Sequence, residues 1–249
     1  TTTIQTARGF TDFSPEVQQQ LLSWKEKGFM VLPHFFDDTR IDEAAQSVLP
    51  SLSQKEKQKY FSNRIINLYK KNKQIESLFK DEQLVNILSF ILGREIAPFQ
   101  TINFYKSGSQ AAHSDAVHLT TEPLGFALGV WVALEDVTEG SGEFFYYPGS
   151  HKLHYILNKD FATEGKSWAH SEDLHEKYEK RVADLIEEKG LKYETFLPKK
   201  GDVLIWHTNL LHGSLPKLNL QLTRVSLIMH YFAQGVLCYH EMLEKPAVF

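Results

Sequence analysis

The sequence predicts a mainly β fold, an antiparallel sandwich or jelly roll with N-terminal helices packed on one outer face. Three observations predict it. Apolar residues recur at helical spacing through much of the first hundred residues, and from Ile96 the spacing shifts toward two. The later apolar runs mostly follow one another without intervening helices, separated by Gly, Pro, Asn and Ser, as in sheets of antiparallel strands. The chain of 249 residues is long enough to bury a large core without disulfides or a structural metal.

Each element follows from local signals. Ser14-Pro15-Glu16 reads as a cap with proline at the first helical position, Val17, Leu21, Leu22 and Trp24 follow at roughly helical spacing, and Gly28 stops the helix. "GFMVLPHFF" (28–36) reads as a short strand ending near Pro33, and residues 37–61 resume a polar helical pattern. "EQLVNILSFILG" (82–93) is a helix ended by Gly93. The strand runs are "FQTINFYK" (99–106), "FALGVWVALEDV" (126–137), "EFFYYP" (143–148), "GDVLIWH" (201–207) and "RVSLIMHYF" (224–232). Residues 158–196 interrupt them with a charged insertion holding one helix near 171–189, which makes it a candidate lid. The expected organisation is a single domain over 1–249, with a helical flank at 1–95 and a jelly-roll core at 96–235.

A net charge of −4 gives no broad basic field, so neither nucleic acid nor an anionic membrane is an expected partner. Cys238 is the single cysteine, which rules out an intramolecular disulfide and a thiolate-rich metal site. The first thirteen residues lack the apolar stretch of a secretory signal, and no apolar run reaches the ~18 residues needed to span a bilayer. The expected setting is the cytoplasm and the expected partner a small-molecule substrate; nothing in the sequence fixes an oligomeric state.

The chemistry centres on "HSDAVHL" (113–119). On a strand, residues i and i+2 point to one side, so His113 and Asp115 can offer an imidazole and a carboxylate to one ion. Two histidines and a carboxylate with neighbouring positions open is the facial arrangement of non-haem Fe(II) oxygenases, and the same donors suit zinc or manganese. The third ligand must come from a distant strand, with His207 and His212 in "WHTNLLHGS" as candidates. His212 is preferred because it immediately precedes Gly213-Ser214 and lies upstream of Arg224. His170-Ser171-Glu172 repeats the spacing, but at a helix start where such side chains diverge. His118 is assigned to pocket lining, while His151, His154, His230 and His240 have no partner at useful spacing.

"GFMVLPHFF", "HSD", "LGVWVALEDVTEGSGEFFYYPGSHK", "GDVLIWHTNLLHGS" and "RVSLIMHY" occur in an order that resembles the phytanoyl-CoA dioxygenase family of Fe(II)/2-oxoglutarate-dependent oxygenases, from about Gly28 to Phe232. The resemblance implies a double-stranded β-helix, the cupin-like form of the jelly roll, with His113, Asp115 and His212 as iron ligands. It implies that Arg224, twelve residues after His212, holds the C5 carboxylate of 2-oxoglutarate; a planar guanidinium suits that task because it donates two charge-assisted hydrogen bonds. Ser214 and Trp131 match positions lining the same cosubstrate, with Asn103 and Gln110 as further suggestions. The implied reaction consumes 2-oxoglutarate and O2, releases succinate and CO2, and hydroxylates an unactivated C–H bond. Asp115 argues against the family's halogenating branch, where a small residue replaces the carboxylate. Lys106 and Lys152 are too few to form a phosphate site for coenzyme A.

His118, Thr120, Thr121, the run Phe144 to Tyr147 and the 158–196 insertion are expected to bound the substrate pocket, and their hydroxyl and aromatic groups favour a small polar metabolite. Two rivals differ in class. One is a non-catalytic cupin-like module binding a metal or a carbohydrate, which would form no succinate. The other is a zinc hydrolase, for which no Glu general base stands beside the three ligands in sequence.

Overall fold

A computed structural model describes residues 7–57, 64–106, 108–161, 171–242 and 245–246. The chain begins with helix α1 (Pro15–Lys27), strand β1 (Phe29–Leu32), helix α2 (Asp38–Lys57), strand β2 (Arg64–Ile66) and helices α3 (Lys73–Phe79) and α4 (Glu82–Leu92). Strands β3 (Ile96–Phe104), β4 (Gln110–His113), β5 (Thr120–Glu122), β6 (Ala127–Ala133) and β7 (Phe144–Tyr146) follow. After helices α5 (Asn158–Phe161) and α6 (Ser171–Lys189), the chain continues with β8 (Glu194–Phe196), β9 (Val203–His207), β10 (His212–Ser214), β11 (Ser226–Ala233), β12 (Leu237–His240) and β13 (Lys245–Pro246). Helix ends follow the expected chemistry: Ser14 and Asp81 cap α1 and α4 through their side chains, and Gly28 and Gly93 take the left-handed conformation at the other ends.

Two antiparallel sheets form the jelly roll. The larger runs β1-β9-β6-β11-β3-β2, the smaller β4-β10-β7-β8, and a third of three strands, β13-β12-β5, pairs with neither. Strand β6, "ALGVWVA", is buried along its whole length because both faces of the large sheet are covered. Leu128, Val130 and Val132 point outward and pack with Leu227, Met229 and Tyr231 of β11 against Leu21, Ile41, Val48 and Ile87 of the N-terminal helices. Trp131 and Ala133 point inward and pack with Leu204 and Trp206 against Phe144, Tyr146 and Phe196 of the small sheet. The alternation places every second residue of β6, β9 and β11 between the sheets, where the site lies.

Within the 158–196 insertion, a candidate lid by sequence, the described residues include a helix packed on the core. Helix α6 is a packing layer: Tyr178 and Val182, both fully buried, and Leu185 close over Phe145, Tyr147 and Leu211 on the outer face of the small sheet. Residues 162–170 fall outside the described residues, as do the side chains of Ser171 and Glu172, so the His170-Ser171-Glu172 triplet cannot be placed. No helix of the described residues is long and apolar enough to cross a membrane.

Candidate metal centre

Strand pairing assembles the site from residues a hundred positions apart. His212 of β10 stands opposite His113 of β4 and, on its other side, opposite Tyr146 of β7. The two imidazoles come within 4.3 Å of each other, centroid to centroid. Asp115 follows β4 in a tight turn, and among the described residues His113, Asp115 and His212 form the one group able to hold a metal, their ligand atoms lying within 4.8 Å of one another. His207 points elsewhere: its Nδ1 accepts from the Asn209 N–H and its ring lies 5.7 Å from that of His151.

Each candidate ligand imidazole has its donor atom selected. Nδ1 of His113 lies 3.0 Å from the Ala111 carbonyl and Nδ1 of His212 lies 2.9 Å from the Leu210 carbonyl. A carbonyl only accepts, so both protons sit on Nδ1 and both Nε2 atoms carry the lone pair, that of His113 accepting from Gln110 Nε2 (3.2 Å) in the metal-free chain. Those Nε2 atoms are 3.7 and 3.6 Å from Asp115 Oδ1. The other oxygen, Oδ2, accepts a hydrogen bond from Trp206 Nε1 (2.9 Å) and lies 3.6 Å from His230 Nε2. The carboxylate thus turns one oxygen toward the imidazoles and spends the other on the large sheet. Burial alone would raise the Asp115 carboxyl, but His212, His230 and His113 outweigh burial and hold it well below the usual carboxylate range.

Trp206 reaches Asp115 because Gly129, its partner in β6, has no side chain: a Cβ there would fall inside the indole ring. Gly129→Ala is expected to push Trp206 off Asp115 Oδ2 and destabilise the fold by roughly 1–3 kcal/mol. The readouts are the urea midpoint and divalent-metal affinity, and an unchanged affinity would show that Trp206 does not orient the carboxylate.

The "PGSHK" turn is a buttress. Ser150 Oγ accepts from the Leu211 N–H (2.8 Å), and the carbonyls of His151 and Leu153 accept from Asn209 Nδ2 (3.0 and 2.9 Å). These bonds fix the turn between Trp206 and His212. Thr208 holds the opposite side, its carbonyl accepting from Ser114 Oγ (3.1 Å) and from the Ala116 N–H (3.0 Å).

A line of buried polar groups extends from the ligands. Ser214, the next inward residue of β10, lies about 7 Å along the strand from His212 and opposite Phe144. Arg224 is buried beyond it; its Nη1 donates to the carbonyl of Gly142, two residues before Phe144 (2.6 Å), while its Nε has no partner. Burial lowers the guanidinium to about 10, with Glu143 opposing the shift, so it stays charged at neutral pH. Trp131 Nε1, Ser141 Oγ and Ser226 Oγ are also buried without partners. Buried donors left unmade each cost on the order of 1–3 kcal/mol, and a dicarboxylate satisfies such a set. The donors present therefore fit both a divalent metal and 2-oxoglutarate.

Other expected site residues fall differently. Asn103 stands opposite Leu227 and Ile65, which puts it on the helix-covered outer face of the large sheet, away from the cosubstrate position expected for it. The one-residue parity of β3 decides this, since Ile102 takes the inward place opposite Ile228. Gln110 sits at the ligands, its Nε2 3.2 Å from His113 Nε2. The hydroxyl of Thr120 donates its proton to the Ala116 carbonyl, whereas that of Thr121 accepts from the Phe126 N–H and keeps its own proton to donate. Of the aromatic run, Phe144 and Tyr146 face inward and Phe145 and Tyr147 lie under α6. His118, near His113, hydrogen-bonds through Nδ1 to His240 Nε2 (3.1 Å), a partner on β12.

Trp206 and His230 were missed by the expectation built on local spacing. His230 carried a readable signal: it lies six residues after Arg224 and keeps the parity of Ser226 and Ile228 on β11.

Burial lowers His113, His118 and His207 each to about 4, so all three are neutral at pH 7. Between pH 4 and the usual 6.5 the unfolded chain binds protons that the fold refuses, so stability is full above 6.5 and lost as pH falls through this window. The thermal midpoint of metal-free protein should decline progressively on acidification from pH 6.5 to 4; a flat profile would contradict the burial of these imidazoles.

The family model for phytanoyl-CoA dioxygenase (PhyH) matches residues 24–225, most of the chain and all of the site up to Arg224. The chain belongs to the phytanoyl-CoA dioxygenase family. It is 26% identical over 153 residues to phytanoyl-CoA dioxygenase domain-containing protein 1 of Danio rerio, covering 57% of this chain and 50% of that protein. It is 28% identical over 154 residues to phytanoyl-CoA dioxygenase 1 of Oryza sativa subsp. japonica, covering 58% and 48%. The chain thus spans about half the length of these curated relatives.

Solved structures share the fold. The non-haem α-ketoglutarate-dependent epimerase SnoN from nogalamycin biosynthesis superposes with a TM-score of 0.67 at 17% identity, covering 90% of this chain and 85% of that one. EctD from S. alaskensis, solved with 2-oxoglutarate and 5-hydroxyectoine, gives 0.67 at 20% identity over 89% and 76%. HygX from Streptomyces hygroscopicus, solved with nickel and 2-oxoglutarate, gives 0.62 at 19% identity over 88% and 87%.

Proposed function

We propose that this chain is an Fe(II)- and 2-oxoglutarate-dependent dioxygenase that hydroxylates an unactivated C–H bond of a small polar metabolite. The observation that carries the reading is the convergence of His113, Asp115 and His212, with Oδ1 of the carboxylate turned toward both imidazoles. Bound there, iron and 2-oxoglutarate would supply the oxidation, with O2 and the cosubstrate giving succinate, CO2 and one oxygen atom for the substrate.

The chain's own residues bind, orient and exclude water. His113, His212 and Asp115 would hold iron, with Trp206 engaging the carboxylate oxygen that faces away from the imidazoles. Arg224 would bind the far carboxylate of 2-oxoglutarate, and Ser214 and Trp131 would donate to the same molecule. Phe144, Leu204 and Tyr146 dry the space between the sheets, which strengthens these charge-assisted bonds. The presence of Asp115 where a halide would need an open position supports oxygen transfer over halogenation. Because the Thr120 hydroxyl proton is taken by the Ala116 carbonyl, the polar character of the substrate rests on the Thr121 hydroxyl and the His118–His240 pair beside His113.

Anaerobic addition of Fe(II) and 2-oxoglutarate to folded protein should produce a weak visible charge-transfer band, and a metabolite screen scored by substrate-stimulated succinate should then find the substrate. Metal uptake without the band or succinate would instead support a non-catalytic binding module.

A further inference from the structure

Ser114 separates the two ligands of the "HSD" stretch, and its main chain is gripped from outside the jelly roll. Its N–H donates to the Tyr178 hydroxyl (2.8 Å), and the same hydroxyl donates back to the Ser114 carbonyl (3.1 Å). The N–H belongs to the peptide plane joining His113 to Ser114, and the carbonyl to the plane joining Ser114 to Asp115. Peptide planes are rigid, so the only soft rotations between the ligand Cα atoms are φ and ψ of Ser114. One phenol therefore ties together the two planes whose relative rotation sets the angle between the His113 and Asp115 side chains.

Tyr178 is itself fixed. It is fully buried on α6, packs among Val117, Phe145 and Val182, and meets the Phe161 ring edge-on at 5.4 Å. The Ser114 side chain is held independently by the Thr208 carbonyl, so the backbone grip from α6 is a separate restraint.

We propose that Tyr178 is a positioning residue of the metal centre, through which α6 sets metal affinity although none of its described side chains is a ligand. The proposal rests on the reading that His113, Asp115 and His212 bind a metal. It gives α6, a cover over the small sheet, a part in the chemistry.

Tyr178→Phe keeps the ring and removes both hydrogen bonds. Val182→Ala, one turn further along α6 in the same cluster, removes packing without touching Ser114. Both are to be read in the full chain by amide hydrogen exchange of the metal-free protein, by thermal midpoint, and by anaerobic titration with Co(II). Tyr178→Phe should accelerate exchange at the Ser114 amide and weaken Co(II) binding roughly tenfold, the scale of lost outer-shell partners. Val182→Ala should lower the thermal midpoint at least as much while leaving Co(II) affinity within about twofold, as expected for a lost core contact. Unchanged Co(II) affinity in Tyr178→Phe, or an equal loss in Val182→Ala, would overturn the proposal while leaving the metal reading intact. A wild-type chain that takes up no Co(II) would overturn the metal reading and the proposal with it.

Discussion

Replacing His212 with alanine is expected to abolish the charge-transfer band formed with Fe(II) and 2-oxoglutarate, together with any succinate production. On the proposed reading the imidazole is one of three protein donors, and the two that remain would lose most of the site's chelation. Its removal also leaves Phe144, now stacked on the His212 ring at 5.2 Å, without that neighbour. His207→Ala provides the contrast, since its ring faces His151 and Tyr155 instead of the ligands. That variant should keep the band. The reverse pattern would mean that the distal ligand had been misassigned. Circular dichroism on both proteins separates loss of ligand from loss of fold.

The second large effect is expected at Arg224. Lysine retains the charge but lacks the planar fork, so Arg224→Lys should raise the dissociation constant for 2-oxoglutarate by roughly 30- to 100-fold, a loss of about 2–3 kcal/mol typical of a charge-assisted pair. Metal affinity in the absence of 2-oxoglutarate should stay within about threefold, because Arg224 is tied to Gly142 at the far end of the line of polar groups, not to the ligands. The measurement is a titration of the charge-transfer band at fixed iron. Parallel loss of metal and cosubstrate affinity would mark Arg224 as a structural residue holding the 138–143 segment.

Strands whose residues alternate or run continuously apolar were legible in the sequence, and so was α6 within the charged insertion, because each carries a periodic pattern long enough to read. The three-stranded sheet of β5, β12 and β13 was not, since these strands are two to four residues long and make little pattern of their own. At the site, His113, Asp115 and His212 were readable as donor types in an ordered context. Trp206 was hidden because its role depends on a missing Cβ across the sheet at Gly129. Asn103 was misplaced because a strand's two faces differ by a single residue of register, and only pairing with β11 fixes that parity. The Thr120 hydroxyl misled for another reason: composition reveals a polar group but not whether a nearby backbone carbonyl has already claimed its proton.

The bonds that hold the 208–211 turn bear on how portable this centre is. Copying the ligand-bearing segments alone into another β-sandwich would leave Asn209 Nδ2 and the Leu211 N–H without acceptors, because Ser150, His151 and Leu153 supply them from a part of the chain that contributes no ligand. A transplant would have to carry residues 148–153 as well, and its success would be governed by that supporting turn as much as by the three donors.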